Sequence, residues 1–344
     1  MAWIVADSFD YYGTTADMAR SVWDSATVPN LGTTATRFGV GQYLVTISIM
    51  SLLKTVGSNE STLWLALAYY RPGALSGTAA EMSWQLRDGA TAQCTVVFES
   101  SGNIVLKSGI QTGTVLATYT GAFAQDVWTH FQIKVVISAT AGAMTVRKNG
   151  QTSDTYASAT NLNTRGGTTN NYANVVVLNG HVAGQRADDV LMYSASGAAP
   201  NDWVGDVRAV CLMPTADTAQ KQFAVFPSGT NAGAVDEALA NSDTDYVFDS
   251  VVGDEDLYDL ADLPTTPAAI LGVVSKVFVK KSDAGARSGQ LRLLSAGTEV
   301  AGTDTVLGTT YTYLARVDAV DPATGIAWTP AAVNALKLGQ KVTA

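Results

Sequence analysis

Histidine is nearly absent from this chain, with two in 344 residues, His130 and His181. Neither stands in a His-x-x-x-His spacing or beside a Gly-x-Ser-x-Gly nucleophile motif, so the usual metal and acid–base arrangements are excluded at the level of motif. Both read as ordinary surface or rim side chains. Cysteine is equally scarce: Cys94 and Cys211 lie far apart and outside any paired metal-binding motif. Both sit among β-type residues, which predicts buried thiols. Charged residues make up only 15% of the chain, few for a free-standing cytosolic enzyme. Its basic runs are short, Arg147-Lys148 and Lys280-Lys281, and the formal net charge is −9. A nucleic-acid surface needs clustered cations and is excluded. Long apolar runs are missing too. The longest, LWLALAYY, has about eight residues where a membrane-spanning helix needs roughly 20, so no membrane insertion is expected. The opening MAWIVADSFDYY has no basic start followed by an apolar core, and no secretory signal is expected. Phosphate-cradling Gly-x-x-x-x-Gly-Lys loops are absent as well.

What the chain does have is alternation. In WTHFQIKVVISATAGAMTVRKNGQ (128–151), Phe131, Ile133, Val135 and Ile137 fall two apart, with His130, Gln132 and Lys134 between them. That period places the first set on one face of a strand and the second on a wet face. Ala141-Gly142-Ala143 supplies a bend, Met144 and Val146 resume the inward face, and Asn149-Gly150 suits a tight turn with positive φ. Further strands are predicted over 42–50 (with Tyr43, Val45, Ile47 and Ile49 on one side), 63–70, 82–86, 94–99, 104–107, 173–178 and 189–193. In this half of the chain a helical stripe is expected only over 15–23. Many short antiparallel strands joined by turns predict a sandwich or jelly roll.

Residues 194–206 (SASGAAPNDWVGD) are small, polar and broken by Pro200, which reads as a linker. Beyond it, strands are predicted over 207–212, 223–226, 246–252, 273–281, 290–294 and 311–317. TPAAVNALKL (329–338) reads as the one helix, with Thr329 as N-cap, Pro330 in the first turn and Gly339 as the stop. The fold class expected is therefore all-β, with two β-sandwich domains, the second smaller and carrying a short C-terminal helix.

Candidate chemistry is thin. The acid-rich GDEDLYDLADL (253–263) steps by three, which fits a helical turn or a solvated surface loop better than a catalytic strand. Asp188-Asp189, opening a strand, and Asp7 and Asp10 near the N-terminus could approach one cation if the first and last strands are neighbours. Calcium, with six to eight oxygen ligands, is the ion such acids take. Turn and strand-end hydrogen bonds account for the same four residues without metal, and both readings stay open. Trp64, Trp84, Trp128, Tyr69, Tyr70 and Tyr119 lie on or beside strands of the first half. Stacked on a face they hold sugar rings, and Trp64, Trp84 and Tyr119 are the candidates; core filling is the competing reading. No acid pair at glycosidase spacing stands out, so no enzyme is expected.

Taken in order, DSFDYY, RFGVGQYL, LWLALAYYRPG, WQLRDG, the 128–150 meander and ADDVLMY resemble the laminin-G-like, concanavalin A-like lectin/glucanase jelly roll, in the form found in virion proteins of tailed phages and prophages. GDVRAVCLMPTAD, DTDYVFDSVVGDEDLYDLADLP, VKKSDAGARSGQL and DPATGIAWTPAAVNALKLGQKV are similar to the C-terminal half of phage structural proteins. The resemblance implies a jelly-roll domain over 1–198 and a β-rich virion-assembly domain over 199–344. It implies a non-enzymatic virion component, as capsid decoration, neck or tail appendage. Such a protein docks on other virion proteins in many copies or as a homo-oligomer. It assembles in the host bacterial cytoplasm and leaves by lysis. Two alternatives stand beside it: a carbohydrate-binding host-adhesion protein for a surface glycan, and a polysaccharide depolymerase. The Glu-x-Asp-x-x-Glu strand motif of the endoglucanases with this fold is absent, which weighs against the last.

Overall fold

The computed structural model describes residues 3–344 apart from 28, 29, 47, 48, 75, 157, 198 and 199. The chain divides into two compact units, one formed by Met1–Asp10 with Val22–Ala209, the other by Tyr11–Ser21 with Val210–Ala344. The boundary expected between 198 and 199 falls on residues outside the described set.

In the first unit two antiparallel sheets face each other. One runs, in spatial order, through Ala159–Leu162, Gly142–Lys148, Thr129–Val136, Thr62–Tyr70, Arg186–Ser194, Tyr43–Val45 and Asn30–Gly32, with Trp3–Asp7 also pairing Arg186–Ser194. The other runs through Val115–Tyr119, Ile104–Ser108, Thr91–Glu99, Ala80–Asp88, Ala173–Gly180, Met50–Glu60 and Ser25–Thr27. The all-β jelly-roll expectation holds. Alternation explains the core: Leu63, Leu65, Leu67 and Tyr69 point inward from one sheet, Met82, Trp84, Leu86, Val96 and Phe98 from the other, all fully buried. Phe98 packs on Tyr69 and Phe131 with ring centroids 4.7 and 5.6 Å apart. Each such side chain contributes about 1.5–3 kcal/mol on leaving water.

The 128–151 segment forms the predicted hairpin, in register from Phe131↔Lys148 to Val136↔Ala143. Asn149 and Gly150 take φ of 50° and 72°, left-handed values that Gly adopts because it lacks a Cβ and Asn more readily than most residues. Its second face, however, is not wet. His130 and Gln132 are buried and Lys134 is half-buried. The reason is the segment that reads as a linker. The Tyr193 hydroxyl donates to the Asp202 carbonyl, the Gly205 N–H donates to Gln132 Oε1, and the Arg147 guanidinium lies 4.2 Å over the Trp203 ring. Residues 202–209 thus form a strap across the outer face of the first sheet.

The single strand expected over 42–50 is two: Tyr43–Val45 belongs to one sheet and Met50–Glu60 to the other, with Ile47 outside the described residues and Ile49 exposed. Neither cysteine is in a disulfide. Cys94 is buried, which pushes its thiol up to about 12, whereas Cys211 is exposed against expectation.

The second unit is also β-rich. Pro214–Lys221, Glu255–Leu260, Lys337–Val342, Ser288–Ser295 and Thr298–Ala301 make one sheet, with Thr305–Val306 pairing Ser288–Ser295. Two-stranded pairs join Ala224–Phe226 with Tyr246–Phe248, and Val273–Val279 with Thr312–Asp318. Leu291, Leu293, Leu314, Trp328, Val333 and Leu336 form its core. The helix is shorter than predicted, Pro330–Asn334, with the Thr329 side chain accepting from the Ala332 N–H as its cap. Residues 15–20 form a 3-10 turn, Thr15–Arg20, in place of a longer helical stripe.

The acid-rich 253–263 segment is neither helix nor solvated loop. Glu255–Leu260 is a strand paired on both sides. Asp256 is buried there because both its oxygens are fully used. Oδ1 accepts from the Gln222 and Phe223 N–H groups, and Oδ2 from Asn231 Nδ2 and the Tyr258 hydroxyl.

Candidate functional site

The four acids expected as cation ligands lie in the first unit. Asp188 and Asp189 sit on a β-bulge, where pairing with the Thr62–Tyr70 strand shifts between Asp188↔Ala68 and Leu191↔Ala66. Asp189 has φ 48°, so the extra residue redirects its side chain. Asp10 reaches the same area because Gly41 leaves room: a Cβ there meets Asp10 Oδ1 at 2.1 Å. Asp10 Oδ1 accepts the Gln42 N–H at 2.7 Å. Burial raises the Asp10 carboxyl to about 6, with the charges of Asp189 and Asp7 adding to it. Burial likewise raises Asp188, aided by Asp189 and Asp10. Asp10, Asp188 and Asp189 therefore do come together, as the strand order implied.

Their partner is a guanidinium. Arg37 Nη1 lies 2.5 Å from Asp189 Oδ2, and Nη2 pairs with Asp206 of the strap. The other Asp189 oxygen accepts the Ala209 N–H at 2.7 Å. Asp7 is engaged elsewhere, Oδ1 by the Phe9 N–H and Oδ2 by Trp23 Nε1. Among the described residues no group of three His, Cys, Asp or Glu side chains is arranged to hold a metal ion. With Asp7 and Asp189 spent on these donors, Asp10 and Asp188 alone fall short of the oxygens calcium requires. The donor set as arranged does not fit that ion.

His130 completes the cluster. It is 1% exposed, neither ring nitrogen has a hydrogen-bond partner among the described residues, and Nδ1 lies 3.6 Å from Asp206 Oδ1. Burial pushes it down to about 4, and Arg37 adds to the effect while Asp206 opposes it. The rim position expected for it is wrong because the strap covers that face. His181, half-buried, instead meets Ser83: its Nε2 lies 2.9 Å from the Ser83 hydroxyl. The pairing was illegible in sequence, since the two residues are 98 positions apart. Ser83 is 1% exposed, and His181 lies half-buried over it.

The three aromatic residues expected to stack on sugar do not present a ring face. Trp84 is fully buried in the core, and Trp64 and Tyr119 are 3% and 5% exposed. Trp64 is stacked on Tyr193 (centroids 5.4 Å, interplanar angle 9°) under Lys134. Tyr119 donates to the Met144 carbonyl at 2.6 Å and packs on Tyr156. Rings on the outward-facing period of a strand are covered whenever another segment lies over that face.

A different aromatic row stays open at the end of the first sheet, beyond the strap. Tyr70 and Trp128 are both half-exposed, with ring centroids 5.3 Å apart. Arg186 pairs with Tyr70 across the strands and lies 4.7 Å over its ring and 4.8 Å over that of Tyr43. Trp128 also meets Tyr43 edge-on at 5.9 Å, and its Nε1 donates to the Ala35 carbonyl at 3.2 Å. Asp126, exposed and with φ 56°, accepts from the Tyr70 hydroxyl and from the Gly73 N–H. Desolvation and the Asp126 charge raise the Tyr70 phenol, which keeps it a proton donor. Trp128 and Tyr70 were visible as aromatics in the sequence; their convergence was not, because they are brought together by the pairing of Thr129–Val136 with Thr62–Tyr70.

No protein family and no curated sequence matches this chain. Solved structures of similar fold include domain 4 of AbnA, an extracellular arabinanase from Geobacillus stearothermophilus solved with arabinotriose, at 16% identity and a TM-score of 0.38, covering 56% of this chain and 92% of that one. The carbohydrate-binding module CBM66 from Bacillus subtilis is 11% identical with a TM-score of 0.32, covering 51% and 97%. The exoplasmic/lumenal domain of VIP36 in its Ca2+-bound form is 10% identical with a TM-score of 0.35, covering 56% and 95%. These likenesses concern fold, a jelly-roll β-sandwich similar to those of carbohydrate-binding modules and lectins. They correct the virion expectation, since these structures of similar fold come from sugar-binding and sugar-processing proteins and not from phage particles. The reading as capsid decoration, neck or tail component does not stand. Its motifs are the strands and turns of the sandwich itself, which many unrelated proteins of this architecture share.

Proposed function

We propose that the first unit binds carbohydrate at the Trp128–Tyr70–Arg186 row and does not cleave it. One observation carries this reading: two adjacent half-exposed aromatic rings, rigidly held, with a guanidinium and a carboxylate at their margins. Aromatic rings offer a flat apolar surface to the C–H face of a pyranose, while charged groups beside them take its hydroxyls. Trp128 is anchored by its N–H to Ala35, so little side-chain freedom is lost on binding.

Binding without catalysis suits the acids. Hydrolysis of a glycosidic bond asks for two carboxyl groups about 5–10 Å apart across an open site. Asp188 and Asp189 are buried, and Asp189 is ion-paired with Arg37. The row is built from two aromatic rings, a guanidinium and a single carboxylate already engaged by two donors, so a chelator is expected to leave sugar binding unchanged.

The test is a glycan array followed by calorimetry on the full chain. Trp128→Ala is expected to weaken binding at least about tenfold, equivalent to removing roughly 1.4 kcal/mol of ring stacking. Binding unaltered by Trp128→Ala and Tyr70→Ala, or turnover of the bound glycan, rules the reading out.

A further inference from the structure

The aromatic row holds a guanidinium that no carboxylate among the described residues pairs with. Arg186 Nη1 donates to the carbonyls of Thr34 and Ala35 at 2.9 and 3.2 Å, which fixes the plane of the fork over Tyr70 and Tyr43. Among the described residues Arg186 makes no ion pair, as is also true of Arg87, Arg165 and Arg208; what sets Arg186 apart is its place over the Tyr70 and Tyr43 rings of the row. Asp126, the carboxylate beside the row, is occupied instead by the Tyr70 hydroxyl and the Gly73 N–H. In a chain of formal net charge −9, a cation left without a counterion on a pre-built platform is an unmet demand.

A guanidinium fork matches a carboxylate in plane and spacing better than it matches a single hydroxyl. One arm of the fork is aimed at backbone, which orients it for a ligand group on its remaining edge. Stacking on Trp128 and pairing with Arg186 are demands that one ligand meets together when its sugar ring itself bears the acid.

Resting on the sugar-binding reading, we infer that the ligand is an acidic glycan, one whose residue carries a carboxylate in the manner of a hexuronic or sialic acid. Arg186 takes that carboxylate, and the ring packs against Trp128.

The experiment compares uronic- and sialic-acid oligosaccharides with their own methyl esters, which keep the ring and lose the charge. Titrated into the full chain at low salt, the acids are expected to bind about tenfold more tightly than the esters, the scale of a charge-assisted hydrogen bond. That preference is expected to shrink at about 0.5 M salt, where exposed ion pairs are screened. Arg186→Gln and Arg186→Lys are each expected to bring the acid down towards the ester, with weak binding of both retained through Trp128. Equal affinity of the wild-type chain for acid and ester, or a preference that survives Arg186→Gln, overturns the inference while leaving the sugar-binding reading intact. Silence towards every member of the panel overturns both. The acid-versus-ester comparison uses the unaltered chain, so it decides the matter even if a variant fails to fold.

Discussion

Arg37 and Asp189 form an ion pair at 2.5 Å with both side chains withdrawn from water, 8% and 2% exposed. A guanidinium from the 33–42 loop thereby neutralises an acid on a strand bulge and also holds Asp206 of the strap. One residue ties three chain segments together.

Removing it is expected to be costly. Arg37→Leu leaves Asp189 buried without its cation, and breaking a buried pair from one side typically costs about 3–5 kcal/mol. Asp206→Ala is expected to cost less, since that side chain is 41% exposed and solvent screens it. Urea unfolding of both variants checks the order, and an Arg37→Leu chain as stable as wild type contradicts the assigned role.

The same cluster makes stability depend on pH in two opposed directions. Asp10 has its folded value raised from 3.8 to about 6. Above 3.8 the unfolded chain releases a proton that the folded chain retains, so this group's contribution falls as pH rises from about 4 to about 6. His130 is lowered from 6.5 to about 4. Below 6.5 the unfolded chain takes up a proton that the folded chain refuses, so this contribution falls as pH drops towards 4. Asp10→Asn is therefore expected to gain on wild type as pH rises through that window, and His130→Gln to gain as pH falls. Unfolding free energies measured from pH 4 to 7 decide it, and parallel profiles for all three chains would refute both assignments.

The strap hangs on Gln132, whose Oε1 accepts the Gly205 N–H while Nε2 donates to the Tyr193 hydroxyl. Gln132→Ala leaves the part-buried Gly205 N–H without its acceptor, a loss of about 0.5–1.5 kcal/mol. Amide hydrogen exchange at Gly205 and its neighbours is expected to accelerate more than exchange in the core strands. Uniform acceleration across the unit instead points to global destabilisation.

Two tryptophans should separate cleanly. Trp84→Ala empties a core position and is expected to cost about 3–5 kcal/mol with no specific effect on sugar binding beyond unfolding. Trp128→Ala removes a half-exposed ring; it is expected to reduce stability by only about 0.5–1.5 kcal/mol, the scale of its aromatic packing, while strongly reducing binding. Thermal melts alongside calorimetry distinguish them. Comparable melting losses with comparable binding losses contradict the placement of the site.

In the second unit, Asp256→Ala is expected to lose at least about 3 kcal/mol, because four donors converge on that buried carboxylate and lose their acceptor together. Asp256→Asn, which keeps one acceptor oxygen, is expected to fall between. Chemical denaturation of both variants measures it.

Local chemistry carried most of the fold. Phe131, Ile133 and Val135 declare a strand by spacing alone, Asn149-Gly150 declares its turn, and Thr329 with Pro330 declares a helix start, because strand period, left-handed φ and capping depend only on neighbours in sequence. What lies over a strand's second face is not local. Alternation placed His130 and Gln132 on the outer side, but only the folded chain shows residues 202–209 covering them. The acids followed the same rule: their convergence was legible, yet the cation that meets them is Arg37, 152 positions from Asp189. The open row of Trp128, Tyr70 and Arg186 was likewise decided in three dimensions, by strand pairing that brings them side by side and a strap that ends short of them. Sequence period assigns a residue to a face; tertiary packing decides whether that face meets protein or solvent.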